Sequence, residues 1–279
     1  MQLALSEARY TELMQEADRA RFTSTRIGYL AAVEKAKETA AVADYVGGAR
    51  GAILGLDADV ILSSCLVNLG DMAAGARAAC SALQAARASD RTMSLVSVLC
   101  VCGGVADVAP DEMLKTERES REQERLNGSP PSLGGLDLSQ VGQISLPTTP
   151  AALPRLGLAY YKAAVSICDD AHAAARDRGS PLAANNVRLL SSRVEARARG
   201  CLGVRLQELG EERKRSLKLV RQAVALSRMV LQLSRMVLQI ASPGRCALEA
   251  KMTLIALLNS LSNVEKAPGS NTAAAACLR

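Results

Sequence analysis

The sequence predicts an all-α protein. Hydrophobic residues make up 49% of the 279-residue chain and are mostly Ala, Leu and Val, which suit closely approaching helices. The chain has no Trp and one Phe, whereas strand-rich folds depend on aromatic and β-branched side chains. Apolar residues also recur at intervals of three and four, which is the period of a helix with one buried side. These observations favour helices over sheets.

Residues 197–226 predict two helices joined by a tight turn. The apolar residues of the first helix lie on one side of it: Cys201, Leu202, Leu206 and Leu209. Gly210 is expected to end this helix, because glycine adopts the left-handed conformation without a steric penalty. Glu211 and Glu212 are expected to open the second helix at the positive end of its dipole. A hairpin of this kind cannot bury its apolar stripe alone, so we expect a stack of helices.

Two stretches share a further pattern. Leu202-Gly203-x-x-Leu206-x-x-Leu209-Gly210-Glu211 resembles the first helix and turn of a tetratricopeptide (TPR) repeat, whose signature begins W-x2-L-G-x2-Y. A second copy is Leu62-Ser63-x-x-Leu66-x-x-Leu69-Gly70-Asp71. Arg199 and Asp59 stand where the signature has Trp, and both Tyr positions are Leu. The resemblance implies antiparallel hairpins stacked as a TPR-like right-handed superhelix, or solenoid.

The N-terminal part, residues 1–109, is predicted to consist of helical hairpins. We expect helices over 5–20, 27–45, from Gly47-Gly48 to 69, and over 72–88. A further helix should begin near residue 91 and falter at Gly103-Gly104. The residues expected to face inward on the first two helices are Tyr10, Leu13, Met14, Ala17, Tyr29, Leu30, Val33 and Ala36.

Residues 110–150 are predicted to form a charged helix followed by a loop. Residues 111–125 favour a helix but carry little to bury, so we expect an exposed extension. The Gly, Ser and Pro clusters of 127–150 predict a long flexible loop. An alternative is that its apolar residues dock on the array as an extended strip: Leu136, Leu138, Val141, Ile144 and Leu146.

The C-terminal part, residues 151–266, is predicted to form further hairpins, followed by a disordered tail over 267–279. We expect helices over 151–178, 182–209, 211–241 and 246–264. Within the third, LSRMVLQ occurs twice in succession, at 226–232 and 233–239. A seven-residue repeat keeps one face toward a partner helix, as in coiled coils. Two copies are too few to define a coiled coil, so we interpret them as a duplication that lengthens the helix.

The formal charge of +6 is concentrated in the second half of the chain. Between Arg176 and Arg235 there are fourteen Arg or Lys residues and five Asp or Glu residues. This surplus favours an anionic partner, either an acidic peptide or a nucleic acid. The other interpretation is a solvated face of Arg side chains lying over an Ala-rich surface. The lack of interleaved aromatic residues, on which bases would stack, argues against nucleic acid.

The residues that could act in catalysis or bind a metal do not form a recognisable motif. We expect the eight scattered cysteines to be reduced and buried in a cytoplasmic protein. Cys100-Val-Cys102 lacks the two further ligands that zinc needs, so no metal or cofactor is predicted. Asp169 and His172 share a helical face and could exchange a proton, but we interpret them as an ordinary polar face of an amphipathic helix. We predict no enzyme, and no membrane partner, since the apolar run at 92–106 is shorter than the roughly 20 residues of a spanning helix.

The expected function is a non-enzymatic scaffold for protein interactions. The TPR resemblance implies that a partner peptide or helix lies in a groove lined by the first helix of each hairpin. The groove positions it implies are Asp57, Ser64 and Asn68 in one hairpin and Arg197, Val204 and Glu208 in the other. The alternative is an Arg-rich helical binder of nucleic acid or another polyanion.

Overall fold

The computed structural model describes residues 2–89, 92–127, 144–177 and 185–238. Within these ranges the chain forms nine α-helices and one 3-10 helix and no strand, which confirms the all-α prediction. The α-helices are α1 (Gln2–Arg21), α2 (Arg26–Val46), α3 (Gly48–Leu69), α4 (Met72–Arg87), α5 (Thr92–Val108), α6 (Pro110–Asn127), α7 (Leu156–Asp177), α8 (Asn185–Glu208) and α9 (Arg213–Leu238). The 3-10 helix spans Pro150–Arg155 and runs directly into α7.

The chain divides into two compact units, Met1–Ala163 and Ala164–Arg279, so the boundary falls within α7. We call them the N-terminal and C-terminal units. In the N-terminal unit each helix from α1 to α5 packs against the next, and α6 packs against both α4 and α5. In the C-terminal unit α8 packs along α9. Neighbouring helices are therefore partners in both units.

The first three helices share an apolar core. It contains Tyr10, Met14 and Ala17 of α1, Ala32, Val33 and Ala36 of α2, and Ile61 and Cys65 of α3. The predicted inward face of α1 is confirmed, since all four of its residues are buried. The prediction is wrong for Leu30, which is 49% exposed. The buried stripe of α2 follows small residues such as Gly28 and Ala32, and it leaves Leu30 on the opposite side.

Helix α5 runs through Gly103-Gly104, so the predicted break there is wrong. Gly103 is buried, and a Cβ atom at this position would overlap the ring of Tyr161, whose Cδ1 and Cζ atoms would both lie 2.7 Å away. The glycine makes room for an aromatic ring packed against the helix. Both residues belong to the N-terminal unit.

The prediction that α6 is an exposed extension is also wrong. Met113 and Glu117 are fully buried at its contact with α4 and α5. The Glu117 carboxylate lies 3.3 Å from Arg87 of α4 and 2.8 Å from Arg121 of its own helix. Its second oxygen accepts a hydrogen bond of 3.3 Å from the Tyr160 hydroxyl. A buried charge needs such partners. Arg121 lies one turn away on α6, but Arg87 and Tyr160 come from other helices, so the sequence pattern of α6 did not reveal the burial of Glu117.

The end of the predicted loop lies against α6. Ile144 is 3% exposed, and its carbonyl accepts a hydrogen bond of 2.9 Å from Arg121. The Pro147 carbonyl accepts another, of 3.2 Å, from Arg118. Docking of the apolar strip is therefore confirmed for Ile144. Its members Leu136, Leu138 and Val141 lie outside the described residues.

Helix α9 begins at Arg213, after the two glutamates that were predicted to open it. Glu212 has a positive φ of 44° and lies in the turn, where its carbonyl accepts the hydrogen bond of the Ser216 amide. The predicted helix over 246–264, the tail over 267–279, and Cys246 and Cys277 lie outside the described residues.

One described segment, Arg50–Leu69 of α3, is long and apolar enough to cross a membrane by length and composition, with a mean hydropathy of 1.7. Asp57 and Asp59 interrupt its apolar run, so it does not stand out as an uncharged stretch of the sequence. In the N-terminal unit this helix packs against α1, α2, α4 and α5. Only 28% of its most apolar stretch is buried within the structure.

Candidate interaction surface

The turn between α8 and α9 is the centre of the TPR-like pattern. Gly210 has a φ of 67°, and its amide donates a hydrogen bond of 2.9 Å to the Gln207 carbonyl. The Glu211 amide donates one of 2.8 Å to the Leu206 carbonyl. This pair of bonds closes the end of a helix around a left-handed residue. The prediction that Gly210 ends the first helix is confirmed.

The two helices approach each other closely at Gly203. A Cβ atom there would lie 2.7 Å from Val220 Cγ2 and 3.0 Å from the Ser216 carbonyl oxygen. The Ser216 hydroxyl donates a hydrogen bond of 2.7 Å to the Gly203 carbonyl. Beside this crossing Val220, Ala223 and Val224 form a small buried cluster. The hairpin is therefore held by small side chains and one buried hydroxyl.

The three groove positions of the first hairpin lie on α3 at intervals of seven and four residues, which places them on one side of that helix. Asp57 accepts a hydrogen bond of 3.2 Å from Tyr10 of α1, so its carboxylate takes part in helix packing. Ser64 is half-buried, and its carbonyl accepts a bond of 2.7 Å from the exposed Asn68. Asn68 is the most accessible of the three.

The same intervals place the other three groove positions on one side of α8. Val204 packs against the Val220 cluster, so it contributes to the hairpin core. Glu208 is exposed and forms an ion pair of 3.1 Å with Arg205. Arg197 is half-buried. The six positions belong to separate units, three to each.

A row of exposed residues runs along α9. The row consists of Lys214, Lys218, Arg221, Ala225, Arg228 and Gln232, and every member is exposed. The buried residues of this helix lie on the opposite side: Ser216, Leu219, Val220, Ala223, Val224, Ser227 and Val230. We call the exposed row the α9 seam. Helix α9 therefore separates a core side from a cationic side.

The α9 seam is electrostatically one-sided. Helix α9 contains seven Arg or Lys residues and no Asp or Glu. Among the residues that the structure describes, Lys214, Lys218 and Arg228 have no carboxylate within ion-pair distance. The Arg215–Glu212 pair, at 2.9 Å, lies at the start of the helix beside the seam. This surface can hold negative charge.

The residues with catalytic potential take part in ion pairs between α7 and α8. His172 Nε2 lies 2.8 Å from Glu195, and Asp169 lies 2.6 Å from Arg199. Arg199 also contacts Glu195 at 2.7 Å. Asp169 and His172 thus each face a residue of α8, which gives them a structural role in the C-terminal unit.

The described cysteines are free thiols in helix interiors. Five of them are buried and Cys201 is half-buried. Burial raises the pKa of the Cys65 thiol to about 11, and burial together with Glu117 raises the pKa of Cys80 to about 12. Such thiols stay protonated near neutral pH and are poor nucleophiles and metal ligands. No three His, Cys, Asp or Glu side chains come together as a metal site within the described ranges.

Comparison of the sequence with protein-family models and with curated proteins finds no match. Within the described residues, the class that the structure defines is an all-helical protein whose neighbouring helices pack against each other from α1 to α6 and again from α8 to α9.

Sequence reasoning counted the cations of α9 but missed their arrangement on one side of the helix. A signal was present, because Lys214, Arg221, Arg228 and Arg235 follow one another at intervals of seven residues. The distant partners of Glu117, Arg87 and Tyr160, were also missed, because they lie on other helices and leave no local pattern.

Proposed function

We propose that this chain is a non-enzymatic scaffold that binds a partner peptide or helix in a groove of stacked, TPR-like helical hairpins. The observation that carries the proposal is the close crossing at Gly203, where the TPR pattern requires a small side chain. The turn at Gly210 supports the same interpretation. A cytoplasmic location, which suits free buried thiols, is part of the proposal.

In the N-terminal unit the proposed binding positions are the exposed Asn68 and the half-buried Ser64. In the C-terminal unit they are the exposed Glu208 and the half-buried Arg197. Asp57 and Val204 support the packing of those helices. A partner would bind mainly through its fit to the helical surface and through these few polar contacts. Such a surface selects by shape and charge together.

The alternative function is a polyanion binder, and the acid-free helix α9 favours it. Phosphate contacts release counterions, so the affinity of such a binder falls steeply with salt. Binding of a peptide in a groove also depends on apolar contacts, so its affinity falls less when the salt concentration is raised.

Affinity capture with the full chain distinguishes the two functions. The bait is incubated with nuclease-treated and untreated lysate at low and at high salt, and retained proteins are identified. A protein that is retained after nuclease treatment and at high salt supports the scaffold. Retention that requires nucleic acid and disappears at high salt supports the polyanion binder and contradicts the scaffold.

A further inference from the structure

The α9 seam has the spacing of a helix-pairing surface. Its members follow one another at alternating intervals of four and three residues, from Lys214 to Gln232. This is the interval at which one α-helix presents side chains to another in a coiled coil. The six positions fall within an arc of roughly 80° on the helix surface. The cations from Lys214 to Arg228 extend over about 21 Å along the axis.

The seam also permits close approach. Ala225 lies in its middle, between Arg221 and Arg228, and adds no long side chain. Leu217 and Met229 lie on either side of the row and are half-buried. A helix placed along the seam would cover the exposed parts of these two side chains. The surface therefore offers apolar contact at its edges and positive charge along its centre.

The charge pattern excludes a second copy of the seam as its occupant. Pairing α9 with itself would place cations opposite cations, which destabilises a helix pair. Carboxylates on the occupant would instead face Lys214, Lys218 and Arg228, which have no carboxylate within ion-pair distance among the described residues.

Nucleic acid fits the seam less well. A helix that binds a duplex enters a groove with phosphates on both sides, whereas the cations of the seam form one narrow row. Helix α9 also has no aromatic side chain for stacking against single-stranded bases.

We propose that the α9 seam docks an acidic α-helix of another protein, whose carboxylates repeat at alternating intervals of four and three residues. This inference rests on the proposed scaffold function and names the chemistry of one partner. It places that partner on α9, whereas the TPR resemblance places the groove on the first helix of each hairpin.

The test uses two synthetic helical peptides of about 20 residues, long enough to form a helix in water when rich in Ala. In the phased peptide the glutamates lie along one face at alternating intervals of four and three residues. In the permuted peptide the same residues are arranged so that the glutamates surround the helix. Binding of each to the full chain is measured by fluorescence anisotropy at about 0.15 M ionic strength.

We expect the phased peptide to bind at least about tenfold more tightly than the permuted one, a difference of about 1.4 kcal/mol. The double variant Lys218→Glu, Arg228→Glu should lose that tenfold preference. Its matched control is Lys115→Glu, Lys162→Glu, which changes the net charge equally at exposed positions of the N-terminal unit and should keep the preference. Circular dichroism of both variants checks that the helices are intact.

Three results would overturn the inference: equal affinity for the two peptides, no binding of either, or unchanged preference in the α9 double variant. Tighter binding of a DNA duplex of equal charge would assign the seam to nucleic acid instead. Affinity capture with the α9 variant separates this inference from the scaffold proposal. The two baits are the unmodified chain and the α9 double variant. If both retain the same protein equally, the scaffold proposal stands and the seam is not the binding site. If neither bait retains any protein, the scaffold proposal itself is contradicted.

Discussion

The hairpins α3–α4 and α8–α9 have the same turn and the same kind of crossing, but their second helices have different surroundings. Gly70 and Gly210 both have positive φ, and the following amides, of Asp71 and Glu211, donate to the carbonyls of Leu66 and Leu206. Outside the hairpin, α4 is covered by α5 and α6, whereas α9 presents the exposed cationic seam. The local motif thus specifies how two helices meet and leaves their outer surfaces free to differ.

The two crossings use the same small residues in opposite order. In α8–α9 the glycine is on the first helix and the serine, Ser216, on the second. In α3–α4 the serine, Ser63, is on the first helix and Gly75 on the second, where a Cβ atom would lie 2.6 Å from Val67 Cγ2. The two helices can therefore approach closely when the glycine and the serine at the crossing are together small, whichever helix carries each of them.

The positions where the TPR signature has Trp also differ between the hairpins. Asp59 accepts a hydrogen bond of 2.6 Å from Ser81 within its own hairpin, and burial raises the pKa of its carboxyl group. Arg199 instead forms an ion pair with Asp169 of α7. Both residues make polar contacts, and these contacts join α3 to α4 in one case and α8 to α7 in the other.

The largest effect on stability is expected from replacing Glu117, the buried carboxylate through which α6 contacts Arg87 of α4. Replacing Glu117 by Ala leaves Arg87, itself only 12% exposed, without its closest carboxylate. We expect the free energy of unfolding to fall by about 3 kcal/mol or more, because the Arg87 guanidinium and the Tyr160 hydroxyl both lose a buried charged partner, while Arg87 keeps the Glu124 carboxylate at 3.6 Å. Urea unfolding followed by circular dichroism measures it.

Glu122→Ala is the matched control on the same helix, since its ion pair with Arg125 is exposed. This variant should unfold like the unmodified chain. Equal unfolding midpoints for the Glu117 and Glu122 variants would show that α6 does not cover α4 in solution.

The next effect concerns the two crossings. Gly203→Leu and Gly75→Leu should each lower the free energy of unfolding by about 1–3 kcal/mol, because either side chain would overlap a valine of the facing helix. Gly203→Ala should also be destabilising, since its Cβ atom alone lies too close to Val220 and to the Ser216 carbonyl.

Gly55→Ala is the control for these glycines. Its Cβ atom would lie 3.9 Å from Ala43, an ordinary contact, so the gain in helix propensity should stabilise by about 0.5–1 kcal/mol. If Gly203→Ala and Gly203→Leu both raise the thermal midpoint, Gly203 faces solvent and the TPR resemblance loses its strongest residue.

Some features of the fold could be predicted from the sequence, and others could not. The helices and the turn at Gly210 follow from local periodicity and from a residue that tolerates positive φ, so they could be predicted. The burial of Glu117 and the continuity of α5 through Gly103 depend on side chains from other helices, and no local pattern encodes them. The position of the α9 cations on one side of the helix could also have been predicted, because several of them recur at intervals of seven residues.

A smaller difference in stability is expected between variants of the two crossing serines, Ser216 and Ser63. Ser216→Ala should destabilise by about 1 kcal/mol, because the buried Gly203 carbonyl loses a hydrogen-bond donor. Ser63 is fully buried, and its hydroxyl has no hydrogen-bond partner among the described residues. Ser63→Ala should therefore be neutral or slightly stabilising. Thermal unfolding of the two variants side by side tests the difference, and equal losses would contradict it.

The smallest effect on stability is expected at the seam. Lys218→Ala should change the free energy of unfolding by no more than about 0.5 kcal/mol, because the side chain is exposed and has no ion pair within the described part of the chain. The same variant should weaken binding of the phased acidic peptide. A large loss of stability would mean that Lys218 takes part in the folded core.

The packing of Tyr161 against Gly103 has a consequence for how this sequence can vary. Any side chain at Gly103 overlaps the aromatic ring, and loss of the ring leaves a void beside the glycine. A change at one position is thus tolerated best with a compensating change at the other, such as Gly103→Ala together with Tyr161→Leu. In related sequences the two positions should covary, a small residue at one accompanying a large residue at the other.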